Sequence, residues 1–246
     1  MPDDELLERL QHFHHNAFPQ YRAQFQALVQ DGQHPTTLFI GCSDSRLLPY
    51  LLTGAGPGEL FLVRNVGAFV PPYDGSHGHH GTTAAIEYAT LTLNVQRIVV
   101  CGHSHCGAVQ ALYQGVPDEA INLRRWLDLG RAAVLPQPCC AQVLRRTEQR
   151  AVVLQLERLL DYPMVRQRVQ QQGSVGLVAV HDLNLALRFC QRVLVLGGGT
   201  VRAQGDPAQV LTPDLLRQAY GVQARVERCS QGHLLVLADA ALPVDA

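Results

Sequence analysis

The chain has 246 residues, 47% hydrophobic and 17% charged, a composition that supports a packed core and excludes a disordered chain. The formal net charge is −1, so there is no excess of basic residues with which to bind a nucleic acid. All 20 basic residues are arginine, which excludes Schiff-base chemistry and any phosphate-binding loop that needs a lysine.

The first residues are acidic and lead into an amphipathic stretch, whereas a secretory signal is basic and then apolar. No apolar run is long enough to span a bilayer. We therefore expect a cytoplasmic protein with no membrane span. The odd number of cysteines, 7, then favours free thiols or metal ligands over a disulfide framework.

Predicted helices and strands alternate over the first 172 residues. The apolar spacing of residues 5–30 predicts one or two amphipathic helices. Buried strands are predicted at 37–41, 59–63 and 97–101, and helices at 82–95, after Gly107, and at 151–170 with an interruption at Pro163. This alternation predicts an α/β fold with a central, mostly parallel sheet flanked by helices.

The polar run that ends at Gly173 predicts a boundary, which gives a catalytic part at 1–173 and a tail at 174–246. Strands are predicted in the tail at 177–180, 193–196 and 200–204, with a helix at 183–192 and a glycine turn at 197–199. Another helix is predicted to begin at Thr212-Pro213, because threonine is a good N-cap and proline suits the first helical position. The tail is thus expected to be a small α/β appendage.

Cys42, His103 and Cys106 form the strongest candidate site. Each follows a predicted strand, and the carboxyl ends of parallel strands lie at one edge of a sheet, where ligands gather. Two thiolates and one imidazole favour zinc over hard cations. Three protein ligands leave one position open, as in catalytic zinc sites.

Asp44 and Arg46 are the candidate catalytic pair beside these ligands. If the segment stays extended, alternation points Cys42, Asp44 and Arg46 to the same side. Arg46 could then hold the Asp44 carboxylate with two parallel hydrogen bonds. A carboxylate restrained in this way can accept a hydrogen bond from a water molecule on the metal.

The two segments Cys42-Ser-Asp-Ser-Arg46 and Gly102-His-Ser-His-Cys106-Gly107 together resemble the β-class carbonic anhydrases. The resemblance spans residues 5–172 and is extended by the runs Gly56-Pro-Gly-Glu59, Arg64-Asn-Val-Gly67 and Ala85-Ile-Glu-Tyr88. It implies a zinc enzyme that hydrates carbon dioxide reversibly to bicarbonate and a proton. Zinc would lie on Cys42, His103 and Cys106, and a hydroxide on the zinc would attack with help from the Asp44–Arg46 dyad.

The same resemblance implies the substrate-binding residues. Gln33 matches a glutamine that hydrogen-bonds the substrate, and Phe61, Val66 and Tyr88 match positions that line the carbon dioxide pocket, partly from the neighbouring subunit. A homodimer or a higher oligomer with active sites at the dimer interface follows. Phe39 stands where some bacterial members have a tryptophan and bind inhibitory bicarbonate, so no bicarbonate switch is expected.

Two points of the site stay open at the level of sequence. The family also has a closed arrangement in which the residue matching Asp44 binds zinc itself, and the sequence does not distinguish it from the open one. Relatives hydrolyse carbon disulfide or carbonyl sulfide on a similar site, so these are alternative substrates. The histidines at 77, 79 and 80 are expected to lie in a solvated loop, and Cys139 and Cys140 to be inert.

The tail resembles a different family. Over residues 174–240 it is similar to the C-terminal end of ABC-transporter ATPases for haem or iron-chelate import, and His181 matches their switch histidine. An ATP-binding transporter subunit is therefore a rival function, which the missing phosphate-binding loop disfavours. A zinc module that senses bicarbonate without turnover is a third possibility, which the retained Asp44 and Arg46 disfavour.

Overall fold

The protein is described from a computed structural model that covers residues 5–74, 80–172, 177–178, 183–184, 187, 192–197, 200–220, 222–230, 232 and 234–241. The chain divides into two compact units, Met1–Leu177 and Val178–Ala246. None of the helices in the described ranges combines the length and the apolar character needed to cross a membrane.

A sheet of order β2-β1-β3-β4 forms the centre of the first unit. Its strands are β1 (Thr37–Cys42), β2 (Leu60–Asn65), β3 (Arg97–Cys101) and the short β4 (Leu177–Val178). β1 is parallel to both β2 and β3 and is buried along its whole length, as its continuous apolar sequence predicts. The predicted α/β fold with a mostly parallel sheet is confirmed.

Helices surround this sheet. They are α1 (Glu5–His12), α2 (Phe18–Asp31), α3 (Pro49–Thr53), α4 (Gly81–Glu87), α5 (Gly107–Gln114), α6 (Ile121–Leu127), α7 (Ala141–Asp161) and α8 (Pro163–Gln172). π-helical turns follow α1 and α4, at Phe13–Ala17 and Tyr88–Thr92, and 3-10 turns lie at Val66–Ala68 and Asp128–Ala133.

The predicted start of the helix at 151–170 is wrong. α7 begins at Ala141, because the polar first turns of the helix carry too few apolar residues to show helical periodicity. The predicted interruption at Pro163 is confirmed, since α7 ends at Asp161 and Pro163 takes the first position of α8. The predicted helix at 82–95 ends as a π-helical turn at Thr92.

Two apolar clusters fill the first unit. One packs residues of all three long strands against α4, α7 and α8, with Leu38, Ile40, Val63, Ile86, Val100, Leu159 and Tyr162 among its members. The other lies at the carboxyl end of the sheet and includes Leu47, Phe69, Val109 and Leu112 together with the sulfurs of Cys42 and Cys106. The candidate site is therefore built on the packed core rather than on a free loop.

The second unit contains two antiparallel hairpins. β5 (Val193–Gly197) pairs with β6 (Thr200–Gly205), and β7 (Val222–Arg228) pairs with β8 (Leu234–Ala241). The helices α9 (Pro207–Val210) and α10 (Pro213–Tyr220) separate the hairpins, and Thr212 caps α10 by accepting a hydrogen bond from the Leu215 amide, as predicted. An apolar cluster of this unit buries Val195, Leu211, Leu216, Ala224 and Val236. His181, most of the predicted helix at 183–192 and two residues of the predicted glycine turn lie outside the described residues.

Candidate functional site

The structure brings together the side chains of Cys42, His103 and Cys106. Cys42 is the last residue of β1, His103 lies two residues after β3, and Cys106 precedes the first turn of α5. The pairing of Gly41 with Cys101 sets the ends of these strands side by side. As a result, the two sulfurs and a ring nitrogen lie within 4.8 Å of one another.

His103 is oriented as a metal ligand. Its Nδ1 lies 3.0 Å from the Ser104 carbonyl oxygen, which can only accept, so Nδ1 carries the proton and Nε2 keeps its lone pair. Within the described part of the chain, Nε2 is buried without a hydrogen-bond partner. Because a buried nitrogen without a partner is costly, this orphaned atom fits coordination of a metal ion.

The sulfurs of Cys42 and Cys106 lie within 4.8 Å of each other. The neighbouring Cys106 thiol, the backbone amides of Asp44 and Gly67 and the His103 ring hold the pKa of the Cys42 thiol below its ordinary value. The neighbouring Cys42 sulfur and burial raise the pKa of Cys106. Because the thiolate is the form that binds metal, the readily ionised Cys42 suits a soft divalent cation such as zinc.

Arg46 holds the Asp44 carboxylate through two parallel side-chain hydrogen bonds. Nε donates to Oδ1 at 2.9 Å and Nη2 donates to Oδ2 at 2.8 Å. Nη2 also donates to the His105 carbonyl at 2.9 Å, which fixes the guanidinium against the ligand loop. These contacts hold the pKa of Asp44 well below its ordinary value, and Oδ2 lies 3.8 Å from Nε2 of His103.

The predicted alternation of Cys42, Asp44 and Arg46 required an extended segment, and the backbone does not stay extended after β1. Residues 43–46 turn instead, and the Arg46 amide donates to Asp44 Oδ1 at 3.0 Å. This turn, rather than an extended strand, places the guanidinium beside the carboxylate. Arg64 supports the turn by donating to the carbonyls of Cys42 and Asp44, at 3.2 and 2.8 Å.

Sequence reasoning missed Glu148 altogether. This residue of α7 is 9% exposed, and its Oε1 accepts a hydrogen bond from the Cys106 amide at 2.9 Å. The sequence separation of the two residues is 42, and no motif links them. A contact between a side chain and a backbone amide gives no sequence signal, so only the fold reveals it.

The predicted substrate-binding residues do not line the cavity shared by Cys42, His103 and Cys106. That cavity is lined by residues that do not include Gln33, Phe61, Val66 or Tyr88. The rings of Phe61 and Tyr88 pack together at a centroid distance of 5.7 Å. Gln33 is exposed, and Val66 and Tyr88 are 40% and 45% exposed, so these side chains are open to a second molecule.

The other cysteines and histidines that the sequence analysis considered form no second metal-binding cluster among the described residues. Among the described residues, the only group of three or more potential ligands close enough to hold a metal ion is the one formed by Cys42, His103 and Cys106. Cys139 and Cys140 are exposed. Two histidines of the loop, at 77 and 79, lie outside the described residues.

The profile of the carbonic anhydrase family matches residues 37–185, which contain all three ligands. The chain belongs to the carbonic anhydrase family. The carbonic anhydrase of Synechococcus elongatus is 39% identical over 175 residues, which are 68% of this chain and 63% of that protein. That of Synechocystis is 36% identical over 180 residues, 70% of this chain and 64% of that protein. The chain thus spans under two thirds of the length of these two carbonic anhydrases.

Solved structures place this chain in the β class of the family. The β-carbonic anhydrase CcaA matches with a TM-score of 0.63 and 35% identity, over 70% of this chain and 81% of that one. A tetrameric β-carbonic anhydrase of Sordaria macrospora matches with a TM-score of 0.58 and 28% identity, over 71% of this chain and 91% of that one. The resemblance to this class read from the sequence is confirmed.

Proposed function

We propose that the protein catalyses the reversible hydration of carbon dioxide to bicarbonate and a proton, with zinc held by Cys42, His103 and Cys106. The observation that carries the proposal is the approach of these three ligand atoms to within 4.8 Å of one another. The carbonic anhydrases among its relatives support the reaction. The buried, partnerless Nε2 of His103 supports the metal.

Zinc bound there would supply a Lewis acid that makes a water molecule nucleophilic near neutral pH. Asp44 accepts a hydrogen bond from the attacking water through Oδ2, the oxygen on the side of His103. The clamp by Arg46 keeps this carboxylate unprotonated and fixed in direction, so its role is to orient the nucleophile. Asp44 as a fourth ligand, the closed arrangement, is the alternative state of the same residues.

Carbon dioxide is small and apolar, and the apolar surfaces of Phe61, Val66 and Tyr88 suit it. Gln33 would donate a hydrogen bond to an oxygen of the bicarbonate product. Because none of the four lines the cavity of its own chain, we propose that a partner subunit supplies part of the pocket. The protein is then a homodimer or a higher oligomer, and without its partner the site is incomplete.

The first two helices support this assembly. None of the residues of α1 or α2 is buried. Together with the π-helical turn between them, these helices expose a row of large apolar side chains: Leu6, Leu7, Leu10, Phe13, Tyr21, Phe25 and Val29. Such a patch is typical of a protein interface.

We further propose that residues 1–173 form the catalytic part. The resemblance of 174–246 to the end of an ABC-transporter ATPase stays a prediction, and the lack of any lysine argues against ATP binding. Carbon disulfide and carbonyl sulfide remain alternative substrates for the same site. The cytoplasmic location also stays a prediction.

Metal analysis and stopped-flow hydration of carbon dioxide test the proposed function. We expect about one zinc per chain, loss of hydration on treatment with a zinc chelator, and recovery on adding zinc back. Cys106→Ser should lose both zinc and activity, and Cys139→Ser, which changes an exposed cysteine, should keep both. Bound zinc without hydration would reject the proposal, in favour of a sensor or, if carbon disulfide is consumed, of a hydrolase.

A further inference from the structure

One peptide unit connects the metal-ligand sulfur of Cys42 to a tryptophan on α6. The carbonyl oxygen of Val66 accepts a hydrogen bond from Nε1 of Trp126 at 2.7 Å. The amide of Gly67, which belongs to the same peptide unit, donates to the sulfur of Cys42 at 3.4 Å. A trans peptide is planar and its C=O and N–H point in opposite directions, so fixing the carbonyl also aims the amide.

The turn around this peptide unit is tightly confined. Gly67 has φ +84°, a left-handed conformation that favours glycine, and a Cβ at this position would lie 2.8 Å from Phe69 and 3.0 Å from Ala108. Asn65 brackets the turn, because its side chain accepts a hydrogen bond from the Phe69 amide at 2.8 Å and donates to the Phe69 carbonyl at 2.9 Å. Because Asn65 holds both ends of the turn, the Val66–Gly67 peptide plane can move mainly by tilting. The hydrogen bond from the Trp126 indole restrains this tilt.

We propose that Trp126 is a positioning residue for the Cys42 sulfur, acting through the Val66–Gly67 peptide unit. The inference rests on the proposed function, because it concerns the same metal site. A donor aimed at a ligand sulfur draws negative charge away from it, so the sulfur gives less charge to a bound cation. A cation bound there would therefore be a stronger Lewis acid than one held by a Cys42 sulfur without this donor.

The indole has a second consequence for the pocket. Val66 is one of the proposed substrate-binding residues, and Trp126 holds its carbonyl. The hydrogen bond from Trp126 therefore restrains both Val66, in the apolar wall of the pocket, and the Gly67 amide that contacts the Cys42 sulfur. Trp126 itself is partly buried against the apolar cluster that contains Cys42 and Cys106, so packing fixes the donor.

Cobalt substitution tests this inference with a readout other than activity. The full chain is loaded with Co²⁺, and the sulfur-to-cobalt charge-transfer absorption is compared between wild type and Trp126→Phe. Without the indole donor, we expect this absorption at longer wavelength, because a sulfur with a weaker hydrogen bond gives up its electrons more easily. Competition with a chelator should show metal affinity weakened by about tenfold, the lower end of the effect of losing an outer-shell partner.

A single-atom version of the experiment protects it against misfolding. Trp126 is the only tryptophan of the chain, so a tryptophan-requiring host fed β-(benzothiophen-3-yl)alanine replaces its N–H by sulfur at this one position. The ring keeps its shape and loses its donor. We expect the same spectral shift as in Trp126→Phe, with a smaller loss of stability.

Tyr113→Phe is the matched control. It removes the hydroxyl that contacts Thr147 at 2.6 Å and accepts from the Leu135 amide at 3.1 Å, beside the same apolar cluster but away from the Val66–Gly67 peptide unit. It should lower stability and leave the charge-transfer absorption unchanged. Unshifted absorption in both Trp126 variants would overturn the inference while the metal site stands. Wild type without any charge-transfer absorption would reject the metal site, and the inference with it.

Discussion

Glu148 offers a direct test of how the fold holds the ligand loop. Replacing it by leucine introduces an apolar side chain of similar volume in α7 and removes the acceptor for the Cys106 amide. Cys106 is 4% exposed, so water cannot easily replace the lost acceptor. Glu148→Gln is the matched control, because its amide oxygen can still accept from the same N–H.

The size of the effect follows from this one orphaned donor. A buried amide without an acceptor costs about 1–3 kcal/mol, and at about 2–4 °C per kcal/mol for a protein of this size Glu148→Leu should lower Tm by about 2–12 °C. Because the amide belongs to a metal ligand, zinc affinity should also fall by about 10–100-fold. Glu148→Gln should keep most of both.

Fluorescence of Trp126 follows the unfolding of the first unit selectively, because this residue is the only tryptophan and lies within Met1–Leu177. Chelator competition measures the zinc affinity of the same samples. Equal Tm and equal affinity for Glu148→Leu and Glu148→Gln would refute the reasoning, since they would show that the hydrogen bond to Cys106 does not hold the loop.

Three further predictions concern other contacts. Asp44→Asn should retain zinc by metal analysis but cut the turnover of carbon dioxide at least about tenfold, because the nucleophile loses its orienting acceptor; full turnover would remove Asp44 from the mechanism. Tyr162→Phe, which removes a buried hydroxyl that donates to the Pro71 carbonyl at 2.9 Å, should cost about 1–3 kcal/mol in chemical unfolding, and an unchanged midpoint would contradict this. Arg225 lowers the pKa of Asp239, so the pair stabilises the folded second unit fully above the unfolded pKa of Asp, about 4, and this stabilisation is lost as pH falls through the lower pKa of the folded state. Over that fall in pH, hydrogen exchange in β7 and β8 should accelerate in wild type and accelerate less in Asp239→Asn.

The sequence predicted the strands that carry the ligands because burial on both faces leaves a continuous apolar run. β1 is such a run, β3 is an apolar run that is only partly buried, and a parallel sheet brings the residues that follow them to one edge. That is why the sequence alone predicts Cys42, His103 and Cys106 as one group of metal ligands. The pairing of Asp44 with Arg46 could also be predicted, since they are only two positions apart, although the backbone brings them together by a turn.

Other parts of the site could not be predicted, because they depend on tertiary packing. Glu148 and Trp126 act on the ligands through backbone amides and carbonyls, which have the same chemistry at every position and leave no pattern. The strands β7 and β8 were missed for a different reason. They are antiparallel and only partly buried, and alternating charged residues in β7 give a weaker signal than an apolar run.

The path of the chain between the ligands has a consequence for the lifetime of the fold. Cys42 ends β1 and His103 follows the neighbouring β3, but the two are 61 positions apart (103 minus 42), so an ion shared between them cross-links a long loop. Closing a loop of this length reduces the entropy of the unfolded chain, as a disulfide does, by an amount that grows slowly with loop length. Metal content would then govern how long the molecule survives at high temperature, and a partly loaded sample would inactivate in two phases, one for each population.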